Sequence, residues 1–342
     1  MQIQENISLK PFNTFGIDVR ARFFASFSNV EELSELITRH SSLSTLVLGG
    51  GSNILLTKDV GGLVMKNEIK GITEVHEDEE HVYVKAGAGE NWHEFVQYCI
   101  SRNWAGIENL SLIPGNVGAS PMQNIGAYGV ELAGVFSNLE AFHLKDKEII
   151  TFSLNDCGFG YRDSVFKNKY KDQFAILHVT FRLRKKPIFH TSYGAIREEL
   201  EKMGIKELSI EAISQAVIRI RTSKLPDPKV IGNAGSFFKN PEISNSRFES
   251  LKEKFPAIVA YPLVNGNFKL AAGWLIEQCA PQGFLTWKGY RKRDAGVHPN
   301  QALVLVNYGN ASGNEIVELS EKIKQTVIEK FGVELEREVN II

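Results

Sequence analysis

The stretch Ser44-Thr-Leu-Val-Leu-Gly-Gly-Gly-Ser-Asn-Ile-Leu-Leu56 decides the fold. Its first residues read as a strand, and its run of glycines invites comparison with the loop that opens a dinucleotide-binding βαβ unit. That loop, Gly-x-Gly-x-x-Gly, passes from a strand directly into a helix. Here Gly49 to Asn53 is followed by Ile54-Leu-Leu-Thr57, which reads as another strand and excludes a Rossmann loop. Two readings remain for such residues between strands. One is a nest of successive backbone N–H groups that holds a diphosphate, with Ser52 and Asn53 adding hydrogen bonds. The other is a plain hairpin turn, which usually needs only two residues of this kind.

Outward from this loop, composition narrows the function classes. At 342 residues the chain predicts two or three domains. Lys plus Arg (39) nearly balances Asp plus Glu (40), so no electrostatic footprint for nucleic acid or an anionic membrane is expected. Cys99, Cys157 and Cys279 stand far apart without a Cys-x-x-Cys pair, which predicts buried reduced thiols. No segment approaches the ~20 apolar residues of a membrane span, and the N-terminus reads as no signal peptide; a cytoplasmic protein is expected.

Elements follow from periodicity. An alternating Val19/Ala21/Phe23 run predicts a strand, and Asn29 caps a helix carrying Leu33, Leu36 and Ile37. Short strands are expected at 62–65 and 81–86, separated by the solvated acidic turn Glu77-Asp-Glu-Glu80. Asn91 opens a helix with Trp92, Phe95, Val96 and Cys99 on one face. Further along come a strand pair around 138–152, a strand at 174–181, helices near 209–221, 248–255 and 313–331, and a closing strand over Val333–Ile342. The last is notable because Glu334, Glu336 and Glu338 alternate with apolar neighbours and Arg337. Alternation alone does not single out one glutamate.

Three further stretches carry chemistry. Ile113-Pro-Gly-Asn-Val-Gly-Ala-Ser-Pro-Met-Gln-Asn-Ile-Gly-Ala-Tyr-Gly129 is glycine-rich and uncharged, yet Ile113, Val117, Met122, Ile125 and Tyr128 want burial. It is unsuited to a flexible linker and reads either as a segment wrapping a flat apolar ligand or as a packed turn. Gly158-Phe-Gly-Tyr-Arg-Asp-Ser164 sets Arg162 beside an aromatic after a turn, where it can bind a carboxylate bidentately or stand as a surface arginine. Gly232-Asn-Ala-Gly-Ser-Phe-Phe-Lys-Asn-Pro241 reads either as a site that brings a hydroxyl, an amide and an ammonium group together or as a structural turn pinned by Phe237 and Phe238.

Taken in order, Asn13-Thr-Phe-Gly-Ile17, Gly49-Gly-Gly-Ser-Asn53, the 113–129 cluster, Tyr161-Arg-Asp-Ser164, Lys224-Leu-Pro-Asp-Pro228, the 233–241 stretch and Leu335-Glu-Arg-Glu-Val339 resemble the UDP-N-acetylenolpyruvylglucosamine reductases. The resemblance covers nearly the whole chain. It implies an α+β protein with a vanillyl-alcohol-oxidase-type (PCMH-type) FAD-binding domain in two lobes, at 1–67 and 68–187. A connecting segment at 188–218 would carry a substrate tyrosine loop of the type I form, and 219–342 would be an α+β substrate-binding domain with the catalytic C-terminal strand. The implied activity uses noncovalent FAD, with NADPH as co-substrate, to reduce the enolpyruvyl ether of a UDP-sugar to UDP-N-acetylmuramate, a peptidoglycan precursor. A monomer without nucleic-acid or membrane partner is expected.

By the same resemblance Arg162, Ser236 and Glu338 match the catalytic arginine, proton-donating serine and C-terminal glutamate. FAD is expected on Gly49, Gly50, Gly51, Ser52, Asn53 and Ile54, and on Ile113, Pro114, Gly115, Gly118, Ala119, Ser120, Gln123, Asn124, Ile125 and Gly126. Tyr161, Arg162 and Ile176 complete that set. Tyr128, Tyr193, Lys224, Asn240, Tyr261, Lys269 and Gln301 are expected to hold the substrate, and no metal ligand is expected. Arg337 stands where the family often has proline. Two alternatives stay open on the residues alone: a flavin oxidase or dehydrogenase of this fold acting on an alcohol, and a flavin- or nucleotide-binding protein without turnover. The oxidase would want a base to take a hydroxyl proton, whereas Ser236 offers an acid.

Overall fold

A computed structural model describes residues 3–342. The chain divides into two compact units that interleave in sequence. The first comprises the chain up to Ile7, Ala21–Gly51 and Val60–Ser223; the second comprises Ser8–Arg20, Ser52–Asp59 and Lys224–Ile342.

Two sheets build the first unit. One has the strand order Gln4–Ser8, Arg20–Phe27, Val60–Asn67, Thr45–Leu48, with the last three strands parallel. Helix Val30–Arg39 lies against it; the Asn29 side chain accepts from the Glu32 N–H, and Leu33, Leu36 and Ile37 are buried among Phe27, Leu63 and Met65. The other sheet is antiparallel, in the order Ile149–Ser153, Phe136–His143, Phe174–Arg184, His81–Gly87, Ile72–Glu77. Helix Trp92–Ser101, capped by Asn91, covers it, and Phe95 lies 4.7 Å from Phe181 and 5.9 Å from Trp92, ring centre to ring centre. Helices Gly194–Lys202 and Ile210–Lys224 form a smaller core of Ile196, Leu200, Ile213 and Val217, against which Tyr128 packs.

The second unit has a four-stranded antiparallel sheet in the order Gly232–Asn233, Leu305–Asn307, Ala295–Val297, Arg291–Lys292. A three-stranded sheet runs Glu242–Ile243, Phe268–Leu270, Ala260–Pro262. Its long helix, Gly313–Phe331, starts in a capping box between Ser312 and Glu315 and ends at Gly332 in the left-handed conformation. The Asn13-Thr-Phe-Gly-Ile17 motif is a turn closed on itself. Asn13 Nδ2 donates to the Leu9 and Ile17 carbonyls, and the Ile17 N–H donates back to Asn13 Oδ1. A Cβ on Gly232 would lie 2.2 Å from the Phe15 carbonyl oxygen, so that turn sits directly on the Ser236 stretch.

The strand–loop–strand reading of the first glycine cluster holds: Thr45–Leu48 precedes it and Ile54–Leu55 follows. All three cysteines are free and buried, and burial pushes the Cys157 thiol up to about 12. Two elements were missed and one expectation needs correction. Strand Ile72–Glu77 and helix Gly194–Lys202 were not anticipated. The closing strand is confined to Asn340–Ile341, because residues 333–339 make only an isolated bridge, Phe238 with Arg337, instead of a ladder. No described helix is long and apolar enough to cross a membrane.

Candidate active site

In the first unit the two glycine clusters meet backbone to backbone. A Cβ on Gly50 would lie 2.7 Å from Asn116 Oδ1 and 2.8 Å from Gly115 Cα, an approach that no residue with a side chain permits. Gly49 and Gly50 therefore lie against Gly115 and Asn116. The Asn116 amide donates to the Gly89 carbonyl, and Gly118 N–H donates to Ala88, beside whose Cβ a Gly118 Cβ would lie 2.5 Å away. Ala119 and Ser120 continue in short 3-10 turns with Gln123. Ile176, in the Phe174–Arg184 strand, gives its carbonyl to Asn67 Nδ2 at 2.8 Å.

One cation stands at this junction that the sequence did not single out. Lys66, half-buried next to Asn67, donates from Nζ to the Gly49 carbonyl at 2.9 Å, and burial lowers its pKa. Among the described residues no group of His, Cys, Asp and Glu is arranged to hold a metal ion.

Downstream of the glycine junction, Gly126–Ala127 and Val130–Glu131 form a hairpin whose two turn residues, Tyr128 and Gly129, have φ of 50° and 83°. Positive φ at both central positions is the type I′ signature. Side chains grip the hairpin from several directions. Arg162, itself left-handed at φ 54°, donates from Nη2 to the Gly126 carbonyl at 2.5 Å and lies over the Tyr161 ring. Asn124, left-handed at φ 43°, donates to Glu131 and to the Gly160 carbonyl. The Tyr128 hydroxyl hydrogen-bonds Arg221, and burial raises the phenol's pKa against the opposing pull of that guanidinium.

Arg221 is the second residue missed in the sequence. It projects from helix Ile210–Lys224, donates from Nε to the Leu112 carbonyl at 3.2 Å, and is close enough to Arg162 for the two charges to interact. His93 accepts the Leu112 N–H on Nδ1, so Leu112, left-handed at φ 59°, is clamped immediately ahead of Ile113. Leu112, Asn124, Tyr128 and Arg162 thus all hold sparsely populated backbone conformations, a concentration expected where geometry serves chemistry. Two arginines side by side suit an anionic ligand group. Tyr193 is 44% exposed and meets Tyr128 edge to face at 5.4 Å.

In the second unit Ser236 follows Gly235, which is left-handed at φ 72°. Phe237 and Phe238 are buried and anchor the turn as expected, with Phe237 edge-on to Phe15 at 6.2 Å. The next residues pair with the C-terminal strip: Lys239 N–H donates to the Glu336 carbonyl, and Glu338 N–H to the Phe237 carbonyl, each at 2.9 Å. The three glutamates stand in different surroundings. Glu334 and Glu336 are exposed and ion-pair with Lys324 and Lys239, whereas Glu338 is half-buried and tied by its backbone to the Ser236 turn. Asn53 Nδ2 donates to the Glu338 carbonyl at 3.3 Å and Ile54 pairs with Asn340, so Asn53 and Ile54 come to the same strip. Arg337 turns the other way, to Ser320 and Glu321 on the long helix.

Tyr261 and Lys269 face each other across the Ala260–Pro262 and Phe268–Leu270 pair. Asn240 joins them, accepting the Ala272 N–H at 2.9 Å just after Leu270 has bonded the Pro241 carbonyl. Gln301 packs on Gly273, where an added Cβ would lie 3.3 Å from its Oε1. Lys224 is the exposed last residue of helix Ile210–Lys224.

Residues 227–342 match the family described as UDP-N-acetylenolpyruvoylglucosamine reductase, C-terminal domain, and residues 21–144 match the FAD binding domain family. The chain is 52% identical to the UDP-N-acetylenolpyruvoylglucosamine reductase of Amoebophilus asiaticus and 50% identical to that of Flavobacterium johnsoniae, covering all of itself and all of each relative. The chain belongs to the UDP-N-acetylenolpyruvoylglucosamine reductase family. A solved structure of such a reductase from Thermus caldophilus matches it in fold, with a TM-score of 0.66 at 24% identity over 100% of this chain and 99% of that one. For a member of this reductase family, the α+β class and the FAD-binding domain that the resemblance implied both stand, and the chain is an FAD-dependent oxidoreductase. The glycine junction fits that cofactor: it combines side-chain-free backbone, buried apolar surface and the Lys66 ammonium group, which suits a diphosphate.

Proposed function

We propose that this reductase converts UDP-N-acetyl-3-O-(1-carboxyvinyl)-glucosamine to UDP-N-acetylmuramate in the cytoplasm, acting as a monomer, with NADPH as the electron source. FAD would be held on the lobes 1–67 and 68–187 by the glycine residues and Lys66, and when bound would supply hydride to the vinyl group. The segment 188–218 brings Tyr193 to the UDP portion, and 219–342 contributes Lys224, Asn240, Tyr261, Lys269 and Gln301 to the same ligand. The observation that supports the reading is the backbone tie between the Ser236 turn and the C-terminal strip, which sets Ser236 and Glu338 on adjoining backbone.

Roles follow from charge. Reduction of a carboxyvinyl ether leaves carbanion character beside a carboxylate, and Arg162 meets that charge. A positioned donor at such a developing oxyanion is typically worth ~2.7–4 kcal/mol. Ser236 transfers its proton to the adjacent carbon, which is basic enough to accept from a hydroxyl, and Glu338 polarises the same group. Rapid-reaction measurements test this: Ser236→Ala keeps flavin reduction by NADPH near the native rate and slows reduction of the enolpyruvyl substrate by at least two orders of magnitude, within the general-acid range. Equal losses in both half-reactions make Ser236 structural and refute the assignment.

A further inference from the structure

Asn109 sits in the 3-10 turn Glu108–Leu110 with its side chain wholly buried. Its Nδ2 donates twice, to the Tyr128 carbonyl at 3.0 Å and to the His190 carbonyl at 2.9 Å. Both partners are acceptors, which fixes the orientation of the amide. Its Oδ1 finds no partner among the described residues. Leaving a buried acceptor unsatisfied is destabilising. Glu108 repeats the pattern, with Oε2 accepting the Gly106 N–H at 2.6 Å and Oε1 unpartnered. A turn optimised for stability alone would carry apolar side chains at these positions.

The two carbonyls that Asn109 joins belong to irregular backbone. Tyr128 is the left-handed corner of its hairpin, and His190 lies in the segment between strand Phe174–Arg184 and helix Gly194–Lys202, three residues before Tyr193. Beyond Tyr193 the helix is pinned by Ile196 and Leu200, and before His190 the chain is pinned by Phe189 against the same core. Between those anchors, the tie from Asn109 sets where the exposed Tyr193 ring meets Tyr128.

We infer that Asn109 is a positioning residue: it straps the Tyr128 corner to the Tyr193 segment and so sets the affinity for the UDP-sugar. The inference rests on the reading that Tyr193 contacts the UDP portion. Two measurements on the FAD-loaded enzyme test it, using Asn109→Leu, or Asn109→Asp should the former not yield yellow protein. Chymotryptic cleavage after Phe189 or Tyr193 accelerates at least fivefold, while unfolding of the holoenzyme is still cooperative. The KM for the UDP-sugar rises at least tenfold with kcat within threefold, and in a Tyr193→Ala background the same substitution raises KM less than threefold, because coupled residues are non-additive. Unchanged cleavage overturns the strap, and additive KM effects overturn action through Tyr193. If Tyr193→Ala alone leaves KM unchanged, the substrate role of Tyr193 fails, and the cleavage rate still decides the strap.

Discussion

Lys66 donates to the Gly49 carbonyl from within an apolar strand, and burial holds its pKa below the ordinary lysine value of 10.5. Across the window from that lowered value to 10.5, the unfolded chain binds a proton that the folded chain does not, so apoprotein stability rises with pH there. A bound diphosphate favours the ammonium form, so FAD affinity falls as pH rises through the same window. Lys66→Met is expected to weaken FAD at least tenfold, to remove that alkaline dependence, and to leave the apoprotein no less stable at pH 7. Titration by the fluorescence of free flavin checks this, and an unchanged Kd rejects the role. Arg337→Ala, by contrast, removes charged hydrogen bonds to Ser320 and Glu321. It should cost about 1.5–3 kcal/mol in denaturant unfolding and leave kcat within twofold; a larger loss of kcat would place Arg337 in the chemistry. The sequence drew attention to Arg162, Ser236 and Glu338 only through motifs that resemble those of the reductases. It hid Lys66 and Arg221, single cations whose partners lie 17 and 109 residues away.

The junction of the two glycine clusters is sterically exclusive. Gly50→Ala drives a methyl group into the Gly115 backbone, which cannot swing aside as a side-chain tip would. The expected result is purified protein without yellow colour and with its helix content kept, by absorbance and circular dichroism; normal FAD content would show that the loops can separate harmlessly. Elements with local start signals were legible: Asn29, Asn91 and Ser312 each accept from the backbone where a cap is needed. Helix Gly194–Lys202 lacks such a signal, since Tyr193 provides no side-chain cap and only Ile196 and Leu200 are buried. Strand Ile72–Glu77 is nearly all exposed, so its apolar alternation is missing. The opposite error occurred at 333–339, where extended chain with buried Val333, Leu335 and Val339 satisfies the two-residue period without a neighbouring strand. Period reports which side faces the core, and a ladder requires a partner that no local pattern records.

For the whole chain, no second dinucleotide fingerprint follows Gly129, so NADPH and the UDP-sugar are expected to use one site in turn. Each brings a diphosphate, and Lys224 would serve both. Initial-rate lines should be parallel, the UDP-sugar should inhibit at high concentration, and Lys224→Ala should weaken both ligands together; intersecting lines would falsify the shared site. FAD should leave on acid precipitation, and colour kept in the pellet would mean a covalent link. The parallel pairing of Asn340–Ile341 with Ile54–Leu55 bears on how such a molecule is made. Asn53 and Thr57 find hydrogen-bond partners 285 residues later. At ribosomal speeds of about 5–20 residues per second that delay lasts roughly 15–60 s. During synthesis the segment 52–59 therefore leaves the exit tunnel long before its docking strip exists, and chaperones would meet it as an apolar stretch awaiting the end of translation.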